Sequence, residues 1–119
     1  MDTNNLEKAI QPFFWVEHEN HENSVSVCLI VGKYKAEVFK IREDDGFQGN
    51  GYDWTSLARV FLDEIKPNLV GIVLFDPEAD MFCAHSTNTI ALKDFIFSFK
   101  DACENDELII DLFSRAELD

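Results

Sequence analysis

An α+β fold, with a mostly antiparallel sheet of about five strands and two to three helices packed on one face, accounts for three features of this chain. Short runs alternate apolar and polar residues with period two, as over residues 24–31. Longer runs repeat apolar residues at i, i+3, i+4 and i+7, as over residues 54–65. The connections between the short runs are of hairpin length, which favours antiparallel pairing. The element order reads β-β-β-α-β-β-α-α. Residues 1–11 read as an N-terminal extension free to be flexible, and residues 12–119 as a single domain.

Residues 12–18 form a first strand, with Phe13, Phe14 and Trp15 in succession. The tandem His18-Glu19-Asn20 and His21-Glu22-Asn23 makes a polar turn. In the second strand Val25, Val27, Leu29 and Val31 share one face, with Ser26 and Cys28 on the other. Gly32-Lys33 suits a two-residue hairpin loop, and residues 34–41 return as a third strand of imperfect alternation. Residues 43–52 are a loop, after which Asp53 N-caps a helix. Trp54, Leu57, Ala58, Phe61, Leu62 and Ile65 form its buried stripe, and Pro67 stops it. Residues 70–75 and 81–85 form a second strand pair across Asp76-Pro77-Glu78-Ala79-Asp80. Ser86 to Thr89 supplies caps for a second helix with the stripe Leu92, Phe95, Ile96, Phe99, Ala102 and Cys103. A short third helix after Asn105 carries Leu108, Ile109, Leu112 and Phe113.

Composition narrows the functions open to such a domain. The chain has 119 residues, 46% of them hydrophobic and eleven of them Phe, enough for one hydrophobic core. Its net charge of −13 disfavours nucleic acid and anionic membrane as ligands, because phosphate contacts need clustered Lys and Arg. The same charge creates a field that speeds encounter with a basic partner, besides keeping a small protein soluble. The apolar runs have strand length rather than membrane-spanning length. The N-terminus lacks the basic and apolar regions of a signal peptide, so a cytoplasmic location is expected. Three cysteines without a CxxC spacing argue against a disulfide framework or a zinc site and read as buried free thiols.

Catalytic and metal chemistry find little support. His18, Glu19, His21 and Glu22 are ligand types for divalent ions, yet their spacing is not the helical H-E-x-x-H pattern, and a solvated turn is the simpler reading. Asp76, Glu78 and Asp80 alternate as in a calcium loop, but Met81 and Thr87 occupy the places of its Gly and Glu. Cys83 and His85 share a strand face while Ser86 does not, and no third group or oxyanion element accompanies them. The segment 46–51 has three glycines and no Lys, which suits a tight loop better than a phosphate cradle. Phe47, Tyr52 and Trp54 are expected to anchor that loop in the core, leaving Glu43, Asp44 and Asp45 outside, as a binding surface or as solvated residues.

Three segments are distinctive: residues 45–54 together with Leu57-Ala58, residues 75–84, and residues 111–119. With Phe14-Trp15-Val16-Glu17 they resemble the immunity protein 51 family of bacterial polymorphic toxin systems, from about Pro12 to the C-terminus. The run Gly49-Asn50-Gly51-Tyr52-Asp53-Trp54 is its most specific element. The resemblance implies a non-enzymatic protector that uses no cofactor. Such a protein binds a secreted toxin's domain in the cytosol of the producer or its kin, the toxin being encoded nearby. It implies no catalytic residue. The motif residues Gly46, Phe47, Gly49, Asn50, Gly51, Tyr52, Asp53 and Trp54 are expected to maintain the fold. Glu43, Asp44, Asp45, Asp76, Glu78 and Asp80 are the expected toxin-binding carboxylates. The rival expectations are a small metal-dependent hydrolase built on the His-Glu segment and the acidic hairpin, and a regulatory or structural subunit of an unrelated complex.

Overall fold

Alternation along the central strands places the core on one side of a four-stranded antiparallel sheet. A computed structural model describes residues 3–17 and 24–118. The strands are β1 (Phe14–Glu17), β2 (Val25–Ile30), β3 (Leu74–Phe75) and β4 (Met81–Ser86), in the spatial order β1-β2-β4-β3. Register sets Trp15 opposite Val27, Val27 opposite Ala84, Leu29 opposite Phe82 and Phe75 opposite Ala84. These residues face the helices. The other face carries Phe14, Val16, Ser26, Cys28, Met81, Cys83, His85 and Leu74.

The helices are α1 (Thr3–Ile10), α2 (Ala36–Lys40), α3 (Gly51–Ile65), α4 (Thr89–Glu104) and α5 (Asp106–Phe113). Phe82 of β4 meets Trp54 of α3 and Phe99 of α4, at ring-centroid distances of 6.2 and 6.1 Å, so both long helices lie on the same side of the sheet. The expected stripes are the ones buried: Trp54, Leu57, Ala58, Phe61 and Leu62 in α3, and Leu92, Phe95, Ile96, Phe99, Ala102 and Cys103 in α4. Ile65, expected at the end of the first stripe, is exposed. Asn88 and Asn105 cap α4 and α5, their side chains accepting from Ala91 N (3.0 Å) and Leu108 N (3.2 Å). No helix among the described residues is long and apolar enough to cross a membrane.

Several expectations need correction, beginning with the element order β-β-β-α-β-β-α-α and the two to three helices, in place of which the described residues form five helices. Residues 34–41 are not a strand: Lys35 adopts a left-handed conformation (φ 56°) and α2 follows. The neighbours Val38 and Phe39 are both buried in the core from α2, whereas a strand would send them to opposite faces. Among the described residues the sheet therefore has four strands, and β2 takes β4, not a hairpin return, as its neighbour. Residues 70–75 are not one strand, because Gly71 at φ +84° breaks the run and leaves only Leu74–Phe75 paired to β4. A one-turn 3₁₀ helix (Pro67–Leu69) precedes it. Lastly, Asn50, not Asp53, is the N-cap of α3. Residues 3–10, read from sequence as part of an extension, form α1, whose Leu6 and Ile10 are buried in the core.

Candidate functional site

The distinctive loop is built from the start of α3 outward. Asn50 Oδ1 accepts from Asp53 N (2.8 Å), capping the helix. Asp53 answers in the reverse direction: its Oδ2 accepts from Gln48 N (2.7 Å) and Gly49 N (2.8 Å). This is the reciprocal logic of a capping box, with Asp as the returning acceptor. Gly51, the first helical residue, is pressed against the β3–β4 hairpin, and its N–H donates to Ala79 O (3.0 Å). A Cβ there would lie 1.9 Å from Glu78 O and 2.4 Å from Met81 O, so no side chain fits. Trp54 is buried among Phe13, Tyr34, Phe39, Phe82 and Phe99, while Phe47 packs edge-on against Phe113 at 4.8 Å. Tyr52 departs from expectation. It is 43% exposed, so it does not anchor the loop in the core.

The six expected carboxylates are all exposed. Glu43, Asp44 and Asp45 form a one-turn 3₁₀ helix ahead of the loop, and Asp76, Glu78 and Asp80 sit on the hairpin that Gly51 abuts. The loop over residues 46–51 thus joins the two acidic segments. Asp45 differs from the rest, because its Oδ2 pairs with Arg42 Nε at 2.9 Å. Arg42 was not singled out by sequence, although it holds much of this region together. Its Nη1 donates to Phe113 O (2.7 Å) and Ala116 O (2.6 Å), and its guanidinium lies 4.5 Å from the centre of the Phe47 ring. The other five carboxylates make no ion pair among the described residues.

The family model for immunity protein 51 matches residues 13–118, nearly the whole chain. The chain belongs to the immunity protein 51 family. Neither the curated proteins nor the solved structures give a significant match. In this member of the immunity protein 51 family the matched span takes in the capped loop, the acidic hairpin and the whole sheet.

The chemistry open to the remaining candidates follows from their placement. Among the described residues no three His, Cys, Asp or Glu side chains cluster closely enough to hold a metal ion. His18, Glu19, His21 and Glu22 lie outside the described residues. Cys83 and His85 do share the sheet face away from the helices, whereas Ser86 points inward and its hydroxyl donates to Ile72 O (2.8 Å). Cys83 has a different sulfur neighbour: Cys28 Sγ lies 3.2 Å away across the strands. That hydrogen bond, together with burial, pushes the Cys28 thiol up, while it holds Cys83 below the ordinary thiol value. Burial also pushes Cys103 up, as expected of an inert core thiol. The register that unites Cys28 and Cys83 depends on β2–β4 pairing across 55 residues of sequence, for which the chain offers no local signal.

Proposed function

We propose that this chain is an immunity protein that binds and neutralises a cognate secreted toxin domain in the bacterial cytosol, protecting the producing cell and its kin. The observation that carries this reading is the family match over residues 13–118. Neutralisation is by occupation of the toxin's surface, with no bond-breaking step and no cofactor. The toxin is encoded by a neighbouring gene. A net charge of −13 supports a partner with a basic surface, whose approach the field accelerates.

The same reading assigns the contact to the two acidic segments and the aromatic between them. Glu43, Asp44, Asp76, Glu78 and Asp80 are exposed and unengaged in ion pairs among the described residues, so their charge is available to a partner. Asp45 contributes while also holding Arg42. Tyr52, exposed one residue beyond the Gly51 contact with the hairpin, is a large amphipathic side chain of the kind that dominates binding energy. The remaining motif residues serve the fold: Gly46, Phe47, Gly49, Asn50, Gly51, Asp53 and Trp54 shape and bury the loop that presents these groups.

Co-expression with the toxin domain of the neighbouring gene tests the proposal. Cells are expected to survive, and the two proteins to copurify. Tyr52→Ala is expected to weaken the complex by about 2 kcal/mol, roughly thirtyfold, while leaving the unfolding midpoint of the free chain unchanged. Cell death despite abundant soluble chain, with no copurification, would overturn the reading.

A further inference from the structure

We propose that Cys28 and Cys83 form a dithiol site that low-molecular-weight disulfides, such as oxidised glutathione, convert into a covalent bridge between β2 and β4. Three features of the geometry support it. First, the two cysteines are direct partners in the ladder, and both are free. Second, they occupy the kind of pair in which side chains come closest. Val31 N donates to Asp80 O, which makes 31 and 80 a hydrogen-bonded pair in the continued β2–β4 register. Such pairs alternate along an antiparallel ladder, so Cys28 and Cys83, three steps on, form a non-hydrogen-bonded pair. The Cα separation of such a pair, about 4.5 Å, lies within the range a disulfide spans. Third, the sulfurs already touch at 3.2 Å, so closing to a bond of about 2.05 Å needs small side-chain rotations and no rearrangement of the strands.

Access sets the order of events. Cys83 is half-buried on the sheet face away from the helices, whereas Cys28, opposite Phe14 of β1, is only 5% exposed. The Cys83 thiolate attacks one sulfur of the disulfide reagent. That S–S bond breaks, and one reagent thiolate leaves and takes up a proton. Cys28 then attacks Sγ of Cys83, expelling the second reagent thiolate, which is protonated in turn. Two protein thiols and one reagent disulfide become one protein disulfide and two reagent thiols. Ser26 and the carboxylates of Asp76 and Glu78 act on the Cys83 sulfur, Ser26 favouring its thiolate and the carboxylates opposing it. Cys103, fully buried and on α4, has no such route and serves as an internal reference.

The test uses the full-length chain, reduced and then equilibrated in buffers of increasing ratio of oxidised to reduced glutathione. Free thiols are expected to fall from three to one, with the intact mass lower by two hydrogens and a single cross-linked peptide joining positions 28 and 83. Cys28→Ser is expected to stop at a glutathione adduct on Cys83, and Cys83→Ser to remain unmodified under native conditions. The proposal fails if the wild-type chain keeps three free thiols in excess oxidised glutathione. It fails equally if the chain accumulates an unresolved adduct on Cys83, or links between molecules or through Cys103.

Discussion

Gly51 shows how narrowly the loop is determined. The atoms that a Cβ would strike are backbone carbonyls of the hairpin, Glu78 O at 1.9 Å and Met81 O at 2.4 Å, which cannot rotate away. Gly51→Ala is therefore expected to cost about 3 kcal/mol, the upper end of the usual range for overpacking, measured by urea unfolding. Gly32→Ala provides the contrast. Its φ of +116° strains any side chain, yet nothing lies within 4 Å, so a loss of about 1 kcal/mol is expected there. Equal effects at the two sites would mean that Gly51 is not docked on the hairpin. The sequence reading places the cap of α3 at Asp53, one helical turn beyond Asn50, which does the capping. Asp53 is also a sound cap in isolation, and only the hydrogen bonds to Gln48 N and Gly49 N show it working backward into the loop. Arg42 was illegible for a different reason. Its carbonyl partners, Phe113 and Ala116, are 71 and 74 residues away, and no local pattern encodes such a pairing.

Long helices were readable because their stripes persist over several turns, as α3 and α4 demonstrate. Short elements were not. Residues 34–41 are too short a stretch to separate period two from period 3.6, and the left-handed Lys35 that turns the chain into α2 has no composition signature. A continuous apolar run over 70–75 likewise concealed the break at Gly71. Helix α5 is tied to α3 by Arg115, which grips Glu64 through two bonds (2.6 and 2.7 Å) and Asp111 through two more (3.1 and 2.9 Å). The guanidinium holds both carboxyls below their ordinary values of 4.5 and 3.8. Groups with lowered native values stabilise the fold above the unfolded values, and that contribution disappears as pH falls through the native ones. Arg115→Met is thus expected to lower stability slightly at neutral pH and to flatten the loss of stability on acidification below about 4.5, modestly because the pair is exposed. Parallel denaturation curves for the two chains across that interval would remove the electrostatic role of Arg115.

Charge is the property of the whole chain that sequence alone displayed most clearly, and the exposed placement of all six named carboxylates is consistent with it. What sequence could not display was that the Gly-rich loop links the two acidic segments, since this depends on Gly51 meeting a hairpin some 28 residues later, a long-range contact of the tertiary fold. Nor could it show that Asp45 is committed to Arg42, which makes Asp44, Asp76 and Asp80 the cleaner positions for charge reversal. The central claim, capture of a basic toxin domain by an acidic protein, is tested most directly by the association rate of the two purified proteins, measured by rapid mixing over a range of salt concentrations. The rate is expected to fall at least tenfold between low and high salt, and to fall similarly at low salt in the chain carrying Asp44→Lys, Asp76→Lys and Asp80→Lys. A salt-independent rate that is the same for both chains, or no complex at all, would contradict it.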